Sequence, residues 1–115
     1  MLENHPLFDQ TVTVYRYTGS GVERTVLSGC FFLWEDQLRE DELGEHMERT
    51  FLLMVPGAPQ KVFAGSRVLP QIGPQITAEQ WSEFIPAKVD GLCEVAYVSP
   101  KYWNGQLCHI EAGRK

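Results

Sequence analysis

The sequence predicts a mainly β fold: a small β-barrel or sandwich of about five to six antiparallel strands, with one short helix near residues 77–85. Three observations predict it. β-branched and aromatic residues recur in short stretches such as TVTVYRY at 11–17, and such side chains suit a pleated surface. Glycine and proline punctuate these stretches, as in Gly19-Ser20-Gly21, Pro56-Gly57 and Asn104-Gly105. Only one segment carries a strong helix-start signal. The length of 115 residues fits one domain, 1–115. A chain of that size buries roughly two-thirds of its unfolded surface, enough for a core without disulfides or metal.

The elements follow in order. Residues 11–17 form the first strand, and Gly19-Ser20-Gly21 the turn after it. Residues 24–35 alternate, with Val26, Ser28, Cys30, Phe32 and Trp34 on one face and Leu27, Gly29, Phe31 and Leu33 on the other. Apolar residues on both faces indicate a strand in the middle of a sheet or barrel. Residues 46–55 read as its hairpin partner. The segment between them holds seven acids against two bases across 35–50, which is the whole net charge of −5. Whether it is a loop, a helical turn or an extension of the strands is left open by the pattern.

Residues 56–77 contain four prolines and therefore form a loop, with at most a short strand near 67–69. Thr77 and Gln80 have capping-box spacing, Ile76 and Trp81 staple spacing, and Pro86 ends the helix. A C-terminal hairpin pairs residues 92–98 with 106–112 across the turn SPKYWNG.

Composition excludes several functions. No stretch approaches the ~20 apolar residues of a membrane helix, and the opening MLENHPLFDQ lacks the layout of a secretory signal. Residues outside 35–50 carry eight acids and eight bases, so no basic nucleic-acid surface is visible. The three cysteines, Cys30, Cys93 and Cys108, show no CxxC spacing and read as reduced core thiols. Cys108 and His109 are neighbours on a strand and point to opposite faces, so no metal site is expected. Nor does any nucleophile, base and orienting group come together. Glu94 and Glu111, facing each other across the hairpin, read as surface carboxylates. The expectation is a protein that is not an enzyme and takes no cofactor. The turn at Lys101, Tyr102 and Trp103 carries aromatics where turns are usually polar, and aromatics are enriched at interfaces.

Three pieces of the chain resemble a known family: HPLFDQTVTVYRY with RTVLSGCFFLWED, FLLMVPG with VFAGSRVLPQIGPQIT, and VAYVSPKYWNGQLCHIEAGRK. They resemble small prophage minor capsid or head–tail connector-like proteins of tailed phages, from Gram-positive gut bacteria. Ser66 stands where the family pattern often has Asp. The resemblance implies a structural role in virion assembly, as a connector or stopper at the portal–tail junction. It implies partners among other connector or tail proteins, a homo-oligomeric ring near packaged DNA, and a location in the virion and in the host cytoplasm during assembly. The candidate interface is Glu35, Asp36, Arg39, Glu40, Asp41 and Glu42 in the acidic segment, with Lys101, Tyr102 and Trp103 in the aromatic turn. Like charges on identical tips predict weak self-association, or rings that form only on a template. The alternative is an OB-like barrel that binds a ligand or single-stranded nucleic acid, with Tyr102 and Trp103 stacking on bases.

Overall fold

The computed structural model describes residues 9–42, 44–57 and 62–114. For Gln37, Arg39, Asp41, His46, Met47, Glu48, Trp103, Gln106, Leu107 and Cys108 only the backbone is described. The opening residues 1–8, with the HPLF of the first resemblance motif, lie outside the described residues.

The described residues form seven strands: β1 (Gln10–Tyr17), β2 (Val22–Asp41), β3 (Gly44–Pro56), β4 (Arg67–Leu69), β5 (Cys93–Glu94), β6 (Tyr97–Trp103) and β7 (Gln106–Gly113). They make one antiparallel sheet in the order β5-β4-β1-β2-β3-β7-β6. The sheet curls, and the chain passes directly from one end strand to the other. Only Val95 and Ala96 separate β5 from β6, and their amides bond to both sides: Val95 N–H to the Ser66 carbonyl and Ala96 N–H to the Gly113 carbonyl, each at 2.8 Å. The fold is thus a curled half-barrel, of the small β-barrel or sandwich kind. Its interior holds Val12, Val14, Cys30, Phe32, Phe51, Leu53, Val68, Val95, Ile110 and Ala112, all buried.

β1, and β4 at Arg67–Leu69, lie where the sequence places them, and β2 is central, between β1 and β3. The faces of β2 differ from simple alternation. Val12 pairs with Leu27, but Gln10 pairs with Cys30, so β2 carries an extra residue at Ser28-Gly29. Gly29 adopts φ 68° there, as a bulge requires. The bulge reverses the faces. Leu27 packs on the core with Cys30 and Phe32, while Val26 is exposed.

The expected helix shrinks to a 3-10 turn, Trp81–Glu83. Half of the capping box forms, the Thr77 amide donating to Gln80 Oε1 at 2.9 Å. Successive i→i+3 bonds carry the chain from Thr77 to Phe84, and Pro86 stops it before an α-helical register is established. Residues 70–92 lie over the outside of β1 and β4. They bury Tyr15, Leu69, Ile76, Phe84 and Leu92 in a second cluster. Side chains of the sheet hold this irregular segment in place. Thr13 Oγ1 donates to the Gln71 carbonyl and accepts from the Gly73 amide, Tyr15 Oη donates to the Pro74 carbonyl, and Arg24 reaches the Gly73 carbonyl with two nitrogens. Arg67 Nη1 donates to the Trp81 and Phe84 carbonyls at 2.6 and 2.8 Å, and its guanidinium lies 3.8 Å from the Trp81 ring centre.

The C-terminal hairpin is β6–β7, so the strand expected at 92–98 divides at Val95-Ala96. Cys93 and Glu94 belong to β5, where Glu94 pairs with Arg67. The residue opposite Glu111 is Ser99, not Glu94.

Candidate interaction surface

The acidic segment is an extension of the strands. β2 and β3 pair without interruption from Phe31↔Met54 to Asp41↔Gly44. β1 leaves β2 at Cys30, and β7 leaves β3 at Leu52. Beyond those points the hairpin runs on as a two-stranded arm. The eight residues beyond Leu52, back to Gly44, span roughly 26 Å at about 3.3 Å each. The radius of gyration, 15.0 Å, exceeds the ~13 Å of a compact chain this long, as a projecting arm requires.

Aromatic rings fix the base of the arm. Trp34 and Phe51 are cross-strand partners, and both meet Phe32, with ring centres 5.2 and 5.7 Å from it. Asp36 and Arg49 are the next pair on that face. Arg49 Nε lies 3.0 Å from Asp36 Oδ1, and the guanidinium lies over Trp34. Further out the same face carries Leu38, 63% exposed, and then Glu40 opposite Glu45. Like charges placed directly opposite destabilise a ladder, so the end of the arm is held by its backbone bonds.

The sequence-predicted residues fall into two groups at opposite ends of the barrel. Glu35, Asp36, Glu40 and Glu42 are exposed on the arm, with the backbones of Arg39 and Asp41 beside them. Lys101 and Tyr102 are exposed on the β6–β7 hairpin, Tyr102 at 65%; the side chain of Trp103 is outside the described residues. β3 runs from the arm tip at Gly44 to Pro56, and Pro56 faces His109 near the start of β7. The aromatic turn therefore extends beyond the end of β3 furthest from the arm.

Sequence reasoning missed a cleft at the arm's base. It encloses about 780 Å³ at the barrel mouth, with Trp34 and Phe51 on one wall, Cys93 and Leu92 on the other, and Arg49, Arg114, Asp90 and Glu94 about the rim. These residues converge only through long-range pairing, and no local signal marks them. The thiols facing the barrel interior are poor nucleophiles. Burial pushes Cys30 up to about 11 and Cys93 up to about 12, and their contacts are backbone carbonyls of Leu27, Ser28 and Gly91. Among the described residues no group of three or more His, Cys, Asp and Glu is placed to hold a metal ion, and no helix is long and apolar enough to cross a membrane. His109 Nε2 lies 3.2 Å from Glu111 Oε2 on the outer face of β7.

The chain matches no family model, no curated protein and no solved structure.

Proposed function

We propose that the protein is a structural component of a tailed-phage particle, a connector or stopper at the junction of head and tail. The observation that carries the reading is the pair of hairpins at opposite ends of one barrel: a long acidic arm at one, an exposed aromatic turn at the other. A link in a stack of rings must present different surfaces above and below, and this barrel presents two of unlike chemistry. The resemblance of the three sequence pieces to connector-like proteins supports the same reading. Ser66, in place of the family's Asp, still supplies an oxygen acceptor: its buried Oγ accepts the Phe63 amide at 3.1 Å and closes the turn before β4.

The test is to induce particles from a strain carrying the gene, purify them on a density gradient and identify their proteins by peptide mass spectrometry. The chain should co-sediment with intact particles at a fixed small copy number, and Tyr102→Ala should reduce its incorporation while leaving the isolated protein folded. Absence from purified particles refutes the proposal. A ligand-binding module is the second reading, favoured by the cleft that sets Trp34 and Phe51 beside Arg49 and Arg114. Quenching of tryptophan fluorescence by a short single-stranded oligonucleotide, abolished by Trp34→Ala, would favour it over the first.

A further inference from the structure

We propose that the free edge of β2 in the arm, from Leu33 to Asp41, is a docking edge for an extended, lysine- or arginine-bearing segment of a neighbouring protein, added as a further strand. The inference rests on the arm being an assembly element and names the chemistry of its partner.

Among the described residues the edge is open. β1 ends its pairing opposite Cys30, and the Gln10 side chain accepts the Phe32 amide at 2.7 Å. From Leu33 outward no strand flanks β2 among the described residues. The other side of the arm is partly covered, because Arg114 Nη1 reaches the Arg49 carbonyl at 3.4 Å. Strand edges are usually blunted by proline, lysine or a bulge, since unpaired amides and carbonyls are a template for another chain. In the arm, charged side chains take the place of these devices, with Glu35, Asp36, Arg39, Glu40 and Asp41 along the edge, and acids deter an acidic copy while leaving the edge open to a basic strand. Residues 31–55 contain no proline and no lysine, and the pairing from Phe31 to Asp41 has no bulge. A two-stranded ribbon alone is marginally stable, so a third strand would stabilise what the fold leaves unsupported.

Charge selects the occupant. Residues 35–50 carry seven acids and two bases, and one base, Arg49, is engaged by Asp36 and Trp34. Adjacent strands lie about 4.8 Å apart, inside the ~8 Å screening length of physiological salt. A second copy of the arm would set two surfaces of charge −5 within that distance. A basic strand would instead neutralise the opposed Glu40 and Glu45.

The test uses the full chain and a fluorescein-labelled ten-residue peptide alternating lysine with valine and threonine. A second peptide of equal charge carries two prolines and cannot form a strand. Fluorescence anisotropy at physiological salt should show binding of the first peptide and at least tenfold weaker binding of the second. Amide hydrogen exchange should slow at residues 33–41 in the complex, and Glu40→Gln with Glu45→Gln should weaken binding severalfold. Equal binding of both peptides shows simple charge attraction and overturns the proposal, as does no binding of either. Protection of 33–41 that rises with protein concentration alone assigns the edge to a second copy and also overturns it. Particle analysis tests the assembly role separately: a chain found in particles that ignores the peptide keeps that role and loses the edge.

Discussion

Replacing Arg67 with methionine should destabilise the protein by about 3 kcal/mol. The Arg67 side chain is 12% exposed, and Nη1 supplies charge-assisted hydrogen bonds to two carbonyls, of Trp81 and Phe84. Hydrogen bonds from charged groups contribute roughly 1.5–3 kcal/mol each, and stacking on Trp81 adds about 0.5–2. These terms overlap, because one side chain makes them all. Methionine keeps much of the apolar stem but takes the charged donor from both carbonyls, leaving the Trp81 carbonyl only the Phe84 amide. The ion pair with Glu94, at 3.6 Å and 57% exposed on the Glu94 side, adds little, since exposed pairs contribute about 0–1 kcal/mol. Urea unfolding followed by tryptophan fluorescence measures the loss. With a slope of about 1–3 kcal/mol per molar, the midpoint falls by roughly 1–3 M. Hydrogen exchange locates it, because the amides of 77–92 should open first. Arg67→Lys keeps the charge but not the planar fork, and should recover less than half of the loss. A methionine variant within about 0.5 kcal/mol of the parent, a typical surface effect, would refute the idea that Arg67 clamps this segment.

Two further outcomes follow from packing and burial. Gly73→Ala would drive a methyl group into Tyr15 Oη and to within 2.6 Å of Leu69, and should cost about 1–3 kcal/mol as overpacking; Gly21→Ala meets nothing within 4 Å and serves as a control, both read from thermal unfolding. The Cys30 and Cys93 thiols, raised from 9.0 to about 11 and about 12, should alkylate roughly a hundredfold or more slower in the native protein than in urea, because the thiolate is the reacting form. Native-state labelling at the unfolded rate, read site by site by mass spectrometry, would contradict the burial. Their raised values also set an alkaline limit: the folded state favours the neutral thiols, so this stability is present below about pH 9 and is lost as pH climbs through 11 to 12. Alanine at both positions should flatten that decline.

What the sequence disclosed depended on how local the cause was. TVTVYRY is a strand by its own side chains, and Arg67–Leu69 stands out because prolines leave room for nothing longer. The faces of β2 were misread because alternation assumes an unbroken register. Gly29, alone inside an apolar strand, was the available signal of a bulge. The helix shortened for a non-local reason. Residues 77–85 have cap and staple chemistry, yet Thr13, Tyr15, Arg24 and Arg67 hold the whole 70–92 segment by its carbonyls from the sheet beneath. The acidic segment was ambiguous because acids disfavour strands, and only the opposing register of β3 makes it one. Both hairpins were legible singly. Their separation to opposite ends was not, since it depends on β3 meeting β7 across more than fifty residues.

The same register explains how the exterior of the barrel is divided. Residues 70–92 cover the outside of β1 and β4, so that Thr13 and Tyr15, which face outward, are fully buried. The segment also reaches the start of β2, where Val22 packs on its cluster and Arg24 bonds to the Gly73 carbonyl; beyond that no such cover lies over the rest of β2 or over β3, β7 and β6 among the described residues. One row there crosses all four strands through Leu33, Leu52, Gly113 and Tyr97. Leu33 and Tyr97 are 44% and 40% exposed. The Tyr97 hydroxyl lies so close to Gly113 that a Cβ there would approach it to 2.8 Å, so glycine lets the tyrosine lie flat across β7. The row runs directly into the arm, since Leu33 is the first residue of its free edge. A partner strand on that edge would therefore meet an apolar surface at the arm's base and acids at its tip.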